Sequence, residues 1–278
     1  MITKNKIPIH NINSEFNIKI EDIPHINPYN YKEMHRHNYY EFMFFTKGGG
    51  YQFIDFDKIF LKNNSCYIVK PRQVHLVKRN KEADGFLIQF KTTALPTELI
   101  NSLQILQCHS EPKILFENKK SFIEKISSYI NLMKNTNESE PFYDQKLRHL
   151  LTVILYDLEA FLPENKNFNL KKEKILFDFN TLVNSQKNKL TVNEYAEKLN
   201  ISTKKLSEIV KKNYGITPLQ YIHNNLLLEI KRELIFKDVN IKEVSYSYGF
   251  DNPSNFSLFI KKKTGFTPTE LQRRLTNL

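Results

Sequence analysis

The sequence predicts an α+β protein in two unlike halves: a β-rich N-terminal half, a helical connector, and an all-α C-terminal half. Three observations predict it. Residues 10–92 run in short aromatic and β-branched segments broken by Gly, Asn, Asp and Pro, as strands do. From about residue 116 the apolar spacing changes to the three-to-four period of helices. The C-terminal part then carries helix caps in close succession and says one thing twice, LSEIVKKNYGITP at 206–218 and FSLFIKKKTGFTP at 256–268.

In the first half, EFMFFT (41–46), GYQFID (50–55), CYIVK (66–70) and FLIQF (86–90) read as strands, with DFDK (55–58) a hairpin turn and KGGG (47–50) a break. Many short strands at close spacing favour a sandwich or small barrel. Tyr39, Phe42, Phe44, Tyr51 and Phe53 are expected to fill its interior or to stack on a bound ligand. Residues 119–134 place Phe122, Ile123, Ile126, Tyr129, Ile130 and Met133 on one helical stripe. Residues 142–161 form a second, more apolar helix. Its stripe of Leu147, Leu151, Ile154, Leu155 and Leu158 either pairs two copies into a homodimer or packs on the barrel. PENKNFNLKKE (163–173) is polar and reads as a linker. The expected domains are a barrel over 1–115, a connector over 116–165 and a C-terminal domain over 172–278.

Composition bounds the function. Hydrophobic residues make up 40% and charged residues 26%, and the longest apolar runs, such as LLTVILY (150–156), are far short of a membrane span. The N-terminus lacks the apolar core of a secretion signal. Cys66 and Cys108 have neither metal-type nor disulfide-framework spacing, so reduced thiols in a cytoplasmic protein are expected. The net charge of +11 is uneven: residues 170–278 hold 19 Lys and Arg against 11 Asp and Glu. Excess positive charge on one domain points to a polyanion, nucleic acid first.

Helix starts in that domain are clearly marked. TVNE (191–194), TPLQ (217–220) and TPTE (267–270) fit the capping box, and NIKE (240–243) has an Asn cap with Glu at the same offset. Pro218, Pro253 and Pro268 suit a first helical position, and Gly215 and Gly265 sit where a helix should stop. The marks delimit helices at 192–199, 203–213, 218–237, 241–248 and 253–263. Two of these pairs are joined by tight turns, a helix-turn-helix occurring twice. Ala196 aligns with Ser245, Ile201 with Phe250 and Leu206 with Phe256; the second turn holds one extra residue near Pro253.

The segment IKEVSYSYGFDNPSNFSLFIKKKTGFTP (241–268), with YAEKLNISTKKLSEIVKKNYGITPLQYI (195–222) in register, resembles the DNA-binding domain of the AraC/XylS transcription regulators of bacteria. The resemblance covers roughly 172–278, with the helix-turn-helix units at 192–213 and 241–263. It implies a sequence-specific regulator whose second helices enter successive major-groove segments of double-stranded DNA. It implies RNA polymerase as a further partner if the protein is an activator. The residues expected at the DNA are Thr203, Lys204, Lys205, Ser207, Glu208, Lys211 and Lys212 in the first unit. In the second they are Ser254, Asn255, Ser257, Leu258, Lys261 and Lys262. Lys204 suits guanine, and Glu208 suits cytosine or simply neutralises a lysine. Asn255 either reads adenine or caps its helix. Leu258 stands where the family carries an arginine, and Ile260 where it carries phenylalanine.

HRHNYYE (35–41) with PRQVH (71–75) resembles the metal-binding motif of the cupins, small β-barrels. His35, His37 and Glu41 are expected on one face of one strand, with His75 on a neighbour; such a set suits Fe(II), Mn or Zn. In the AraC-like regulators similar residues often persist in a cupin-like sensor domain without metal, where they line a pocket for a small effector or simply tie the barrel together. His35, His37, Glu41, Tyr51 and His75 are therefore read as lining a pocket for a small-molecule effector, with no metal and no cofactor. The expectation is a cytoplasmic regulator with a cupin-like sensor barrel and no enzymatic activity. The rival readings are a cupin metalloenzyme with a nucleic-acid-binding appendage and a DNA-binding protein indifferent to any effector.

Overall fold

The computed structural model describes residues 9–10, 17–23, 34–95, 113–116, 120–161, 170–235 and 239–276. The chain forms two compact units, residues 7–165 and the C-terminal part from Lys166 onward. Cys108 and most of the stretch read as a linker lie outside the described residues.

The first unit contains strands β1 (Ile9–His10), β2 (Ile18–Ile23), β3 (Arg36–His37), β4 (Tyr40–Lys47), β5 (Gly50–Ile54), β6 (Asp57–Phe60), β7 (Ser65–Val69), β8 (His75–Arg79), β9 (Asp84–Phe90) and β10 (Lys113–Leu115). Helices α1 (Lys120–Asn135) and α2 (Tyr143–Phe161) follow. Five strands form an antiparallel sheet in the order β10-β7-β4-β9-β2, three form a second in the order β6-β5-β8, and β1 pairs with β3 in parallel. The expected closed barrel is not found among the described residues.

The central strand explains why. Both alternating sets of YEFMFFTK are buried, and a strand buried on both faces belongs to a middle layer. Phe42 and Phe44, with Ile68, Ile88 and Phe90, face α1 and α2 in one core. Met43 and Phe45, with Tyr67, Val69 and Leu87, face Ile54 and Val77 of the three-stranded sheet in another. The unit is thus a helix layer, a five-stranded sheet and a three-stranded sheet. Of the aromatic residues expected inside a barrel, Phe42 and Phe44 turn to the helices, while Tyr51 and Phe53 are half-buried on the outer side of β5.

The apolar stripe of α2 is spent on the same core. Leu147, Leu151, Ile154, Leu155 and Leu158 are buried with Ile123, Ile126, Ile130 and Met133 of α1 against the sheet. Each such side chain contributes about 1.5–3 kcal/mol by leaving water, so the stripe is committed within one chain and is not a face for a second copy.

The second unit is helical: α3 (Leu170–Ser185), α4 (Val192–Lys198), α5 (Thr203–Tyr214), α6 (Pro218–Leu234), α7 (Ile241–Ser247), α8 (Pro253–Thr264) and α9 (Pro268–Thr276). α3 begins inside the stretch read as a linker. Its Phe179 packs edge-on to Tyr195 of α4 and against Tyr221 of α6, which seats α3 on the first repeat. The caps are where the sequence puts them. Thr191–Glu194 and Thr217–Gln220 are complete capping boxes, Thr267 and Glu270 bond reciprocally, and Asn240 accepts from Lys242 and Glu243 backbone N–H groups. Gly215 and Gly265 end α5 and α8 with φ of 69° and 81°, and each donates its N–H to the lysine carbonyl four residues back.

The two repeats also share their internal geometry. Ile201 donates to the Ala196 carbonyl at 3.0 Å, and Phe250 donates to the Ser245 carbonyl at 3.1 Å. Ala196 and Ser245 are buried at the helix crossings, where a larger side chain would push the pair apart. Leu206 and Phe256 plug the two interfaces with no exposed surface. The turns span 199–202 and 248–252, so the extra residue lies in the second.

Candidate nucleic-acid interface and histidine cluster

Burial of Leu206, Ile209 and Val210 fixes the rotation of α5. Thr203, Lys204, Glu208, Lys211 and Lys212 are left exposed, with Lys205 and Ser207 half-exposed beside them. The Lys205 ammonium lies 3.7 Å from the Glu208 carboxylate, so Lys205 and not Lys204 is its partner. On α8, burial of Phe256 and Ile260 exposes Ser254, Asn255, Leu258, Lys261 and Lys262, with Ser257 half-buried.

The structure separates the two roles open to Asn255. The cap of α8 is Asn252, whose side chain accepts from the Asn255 N–H at 2.9 Å, so the Asn255 amide is not the cap and faces outward. Ser257 donates its hydroxyl to the Pro253 carbonyl at 2.8 Å, which leaves it an acceptor only toward a ligand. Leu258 is 68% exposed and borders an open recess with Pro253, Ser254, Ser257, Lys261 and Thr267. Lys211 and Lys212 lie in the last turn of α5, and Lys261, Lys262 and Lys263 in that of α8, where cations also offset the negative end of the helix dipole. The early turns of α5 therefore present charge, whereas those of α8 present an amide, hydroxyls and a leucine.

The first unit gathers the other group of residues between its two sheets. His37 comes from β3, Glu41 from β4 and His75 from β8, and all three are buried. The expected single strand bearing His35, His37 and Glu41 is not formed: the chain bends at Asn38 and Tyr39 and starts a new strand at Tyr40. Proximity comes from packing. His35 forms a backbone bridge with His75, and their rings are centred 4.1 Å apart. The approach to His75 is pinned by Asp55, whose carboxylate accepts from the Val74 N–H at 3.3 Å and from the Gln73 amide at 3.1 Å.

The proton positions follow from the partners. His37 Nδ1 lies 2.7 Å from the Tyr39 carbonyl, which can only accept, so Nδ1 carries the proton and Nε2 holds the lone pair. Burial and the neighbouring His75 push the His37 imidazole down to about 3, so it is neutral at pH 7. Burial alone would raise the Glu41 carboxyl; bonds and charge from His75 and the Gln89 amide outweigh it and hold the group well below the carboxylate range. Glu41 Oε2 accepts from Gln89 Nε2 at 2.8 Å, and Oε1 lies 3.6 Å from His75 Nε2. One ligand atom from each of His37, Glu41 and His75 falls within 4.8 Å of the others. A neutral imidazole with a fixed lone pair beside an ionised carboxylate is metal-type chemistry.

Tyr51 does not join this group. It alternates with Gln52, which is fully buried toward the interior, and its ring lies under the Lys58 ammonium at 4.0 Å on the outer face. The period of two in a strand puts neighbours on opposite faces, and Gln52 is the residue of that pair pointing inward. Both of its amide atoms lack a hydrogen-bond partner among the described residues. Gln52 and Gln89 were legible only as polar residues inside apolar strands, a signal the composition of GYQFID and FLIQF does carry.

Two short helices joined by a tight turn, crossing on a small residue and repeated with the same closing hydrogen bond, define a helix-turn-helix DNA-binding domain. Residues 195–274 match the family model described as a helix-turn-helix domain. The chain is 21% identical over 178 residues to an uncharacterized HTH-type transcriptional regulator, YdiP of Escherichia coli K12, covering 63% of this chain and 58% of that protein. It is 25% identical over 150 residues to the HTH-type transcriptional activator RhaS of Mannheimia succiniciproducens, covering 54% of this chain and 56% of that one. The chain thus spans a little over half the length of these curated relatives. Among solved structures it is similar to ToxT from Vibrio cholerae O395, with 15% identity, a TM-score of 0.43, and coverage of 94% of this chain and 98% of that one. No helix among the described residues is long and apolar enough to cross a membrane.

Proposed function

We propose that the protein is a sequence-specific DNA-binding transcription regulator of the AraC/XylS type. The observation that carries this reading is the repeated helix-turn-helix, with equivalent bonds Ile201 to Ala196 and Phe250 to Ser245 and a polar, cationic outward face on each second helix. α5 would read bases through Lys204 and Glu208, with Thr203, Lys205 and Ser207 beside them. α8 would read through Asn255 and Leu258, with Ser254 and Ser257, and Lys211, Lys212, Lys261 and Lys262 would bind phosphates. The first unit would act as a cupin-like sensor, residues 1–115 with the 116–165 connector, holding a small ligand between its sheets beside His35, His37, Glu41 and His75. This reading is of a regulator and not of an enzyme.

The test is selection of bound duplexes from a random library by the full-length chain. Two short motifs about one helical turn apart, lost selectively in Lys204→Ala and Asn255→Ala, are expected. Enrichment of no sequence at any salt concentration would overturn the reading.

A further inference from the structure

We propose that Leu258 reads the 5-methyl group of a thymine, so that the base pairs facing the early turns of α8 are A·T. The inference rests on the DNA-binding reading and names the base that one residue of that interface selects. Leu206 and Phe256 plug the two repeats equivalently, and two residues further on Glu208 of α5 is matched by Leu258 of α8. Both stand outward, the Glu208 side chain 56% exposed and Leu258 68% exposed. The same place on the two second helices therefore carries a carboxylate in one and an aliphatic group in the other.

The fold makes no use of that leucine. The core contacts of α8 are made by Phe256 and Ile260, and Leu258 stands over an open recess whose lining is mainly apolar, with the Pro253 ring and Thr267 beside it. The Ser257 hydroxyl on the recess is turned back to the Pro253 carbonyl. A leucine offers no hydrogen bond, so guanine O6 and N7 or cytosine N4 covered by it would lose water and gain no partner, which is costly. Thymine alone among the bases presents a methyl group in the major groove. Asn255 stands three residues earlier with its amide outward, the side chain suited to adenine N6 and N7. Three residues advance about 4.5 Å along a helix, close to the rise of about 3.4 Å per base pair, so the two side chains suit neighbouring A·T pairs. Lys261 and Lys262 in the last turn supply the charge that holds such a face on a polyanion.

The test uses the full-length protein and the duplex selected from the random library. Each thymine of the motif is replaced in turn by deoxyuridine, which removes the methyl group and keeps the pairing edge, and binding is titrated by fluorescence anisotropy. One replacement should weaken binding about fourfold, the equivalent of about 0.8 kcal/mol for one buried methyl-sized group. Its salt dependence should not change, because no phosphate contact is lost. In Leu258→Ala, which should melt like the wild type, the same replacement should cost nothing. Leu258→Arg should move the preference at that position from thymine to guanine. No penalty at any thymine, or a penalty that persists in Leu258→Ala, overturns the inference and leaves the DNA-binding reading standing. A library that yields no enriched sequence overturns the DNA-binding reading, and this inference falls with it.

Discussion

Glu208→Gln separates a base reader from a counter-ion. The carboxylate lies 3.7 Å from the Lys205 ammonium, one turn back on the same helix, with the side chains 56% and 42% exposed. An exposed pair at that spacing contributes about 0.2–0.5 kcal/mol, and Gln is nearly as good a helix former as Glu. Stability should therefore fall by no more than that, a melting shift of about 1–4 °C for a small domain. The effect on DNA should be larger. Losing a carboxylate that accepts from cytosine N4 costs about 1–3 kcal/mol of discrimination, roughly 5–150-fold at one base pair. Gln pairs with adenine, so preference at that position should move from cytosine to adenine. Lys205, released from its partner, should also steepen the salt dependence by up to about 0.9 in log–log slope if it meets a phosphate. Random-library selection and binding titrations at several salt concentrations measure both. An equal change in affinity for all sequences, with no altered base position, would refute base reading and leave Glu208 as the counter-ion of Lys205.

Four further outcomes are expected. Asn252→Ala should destabilise the C-terminal unit by about 1 kcal/mol through loss of the α8 cap, whereas Asn255→Ala should leave its denaturation midpoint unchanged and alter only base preference. In metal-free protein, His37 binds its proton near 3 when folded but near 6.5 when unfolded, so the unfolded state holds the extra proton in that window and stability falls as pH drops through it. The slope is up to about 1.4 kcal/mol per pH unit, and Glu41, depressed when folded, adds loss below its unfolded value near 4.5; urea midpoints from pH 7.5 to 4 should fall accordingly and less steeply in His37→Gln. Gly50→Ala should unfold or strongly destabilise the first unit, because its φ is +95° and an added Cβ would sit 2.1 Å from the Lys78 carbonyl oxygen. Gly265→Ala, with φ +81° and open space around the site, should cost only about 1–2 kcal/mol of backbone strain, read by thermal melting.

The helical repeats were legible because their signals are local. A capping box needs residues three apart, and a left-handed stop needs a glycine at one position, so Thr191, Thr217, Gly215 and Gly265 announce helix ends without reference to the rest of the chain. The same locality misled at α3. Its start, LKKEK, is as charged as the stretch before it, and the apolar residues that seat it, Leu176, Phe179 and Val183, come later. Asn255 shows the limit of local reading from the other side: two asparagines flank the start of α8, and only the backbone geometry selects Asn252 as the cap.

The sequence by itself determined, to within a residue, the boundaries of α4, α5, α7 and α8, the inward and outward faces of α5 and α8, and the residue types available to a polyanion. Each follows from spacing along a single helix. Only tertiary structure decided that β4 is a middle layer, that the α2 stripe covers the sheet, and that Tyr51 faces outward while Gln52 faces in. It alone brought His37, Glu41 and His75 together, because they stand on strands of different sheets. Spacing along one strand fixes which side a residue takes, but contacts between sheets depend on how two surfaces pack, and no short-range pattern encodes that distance.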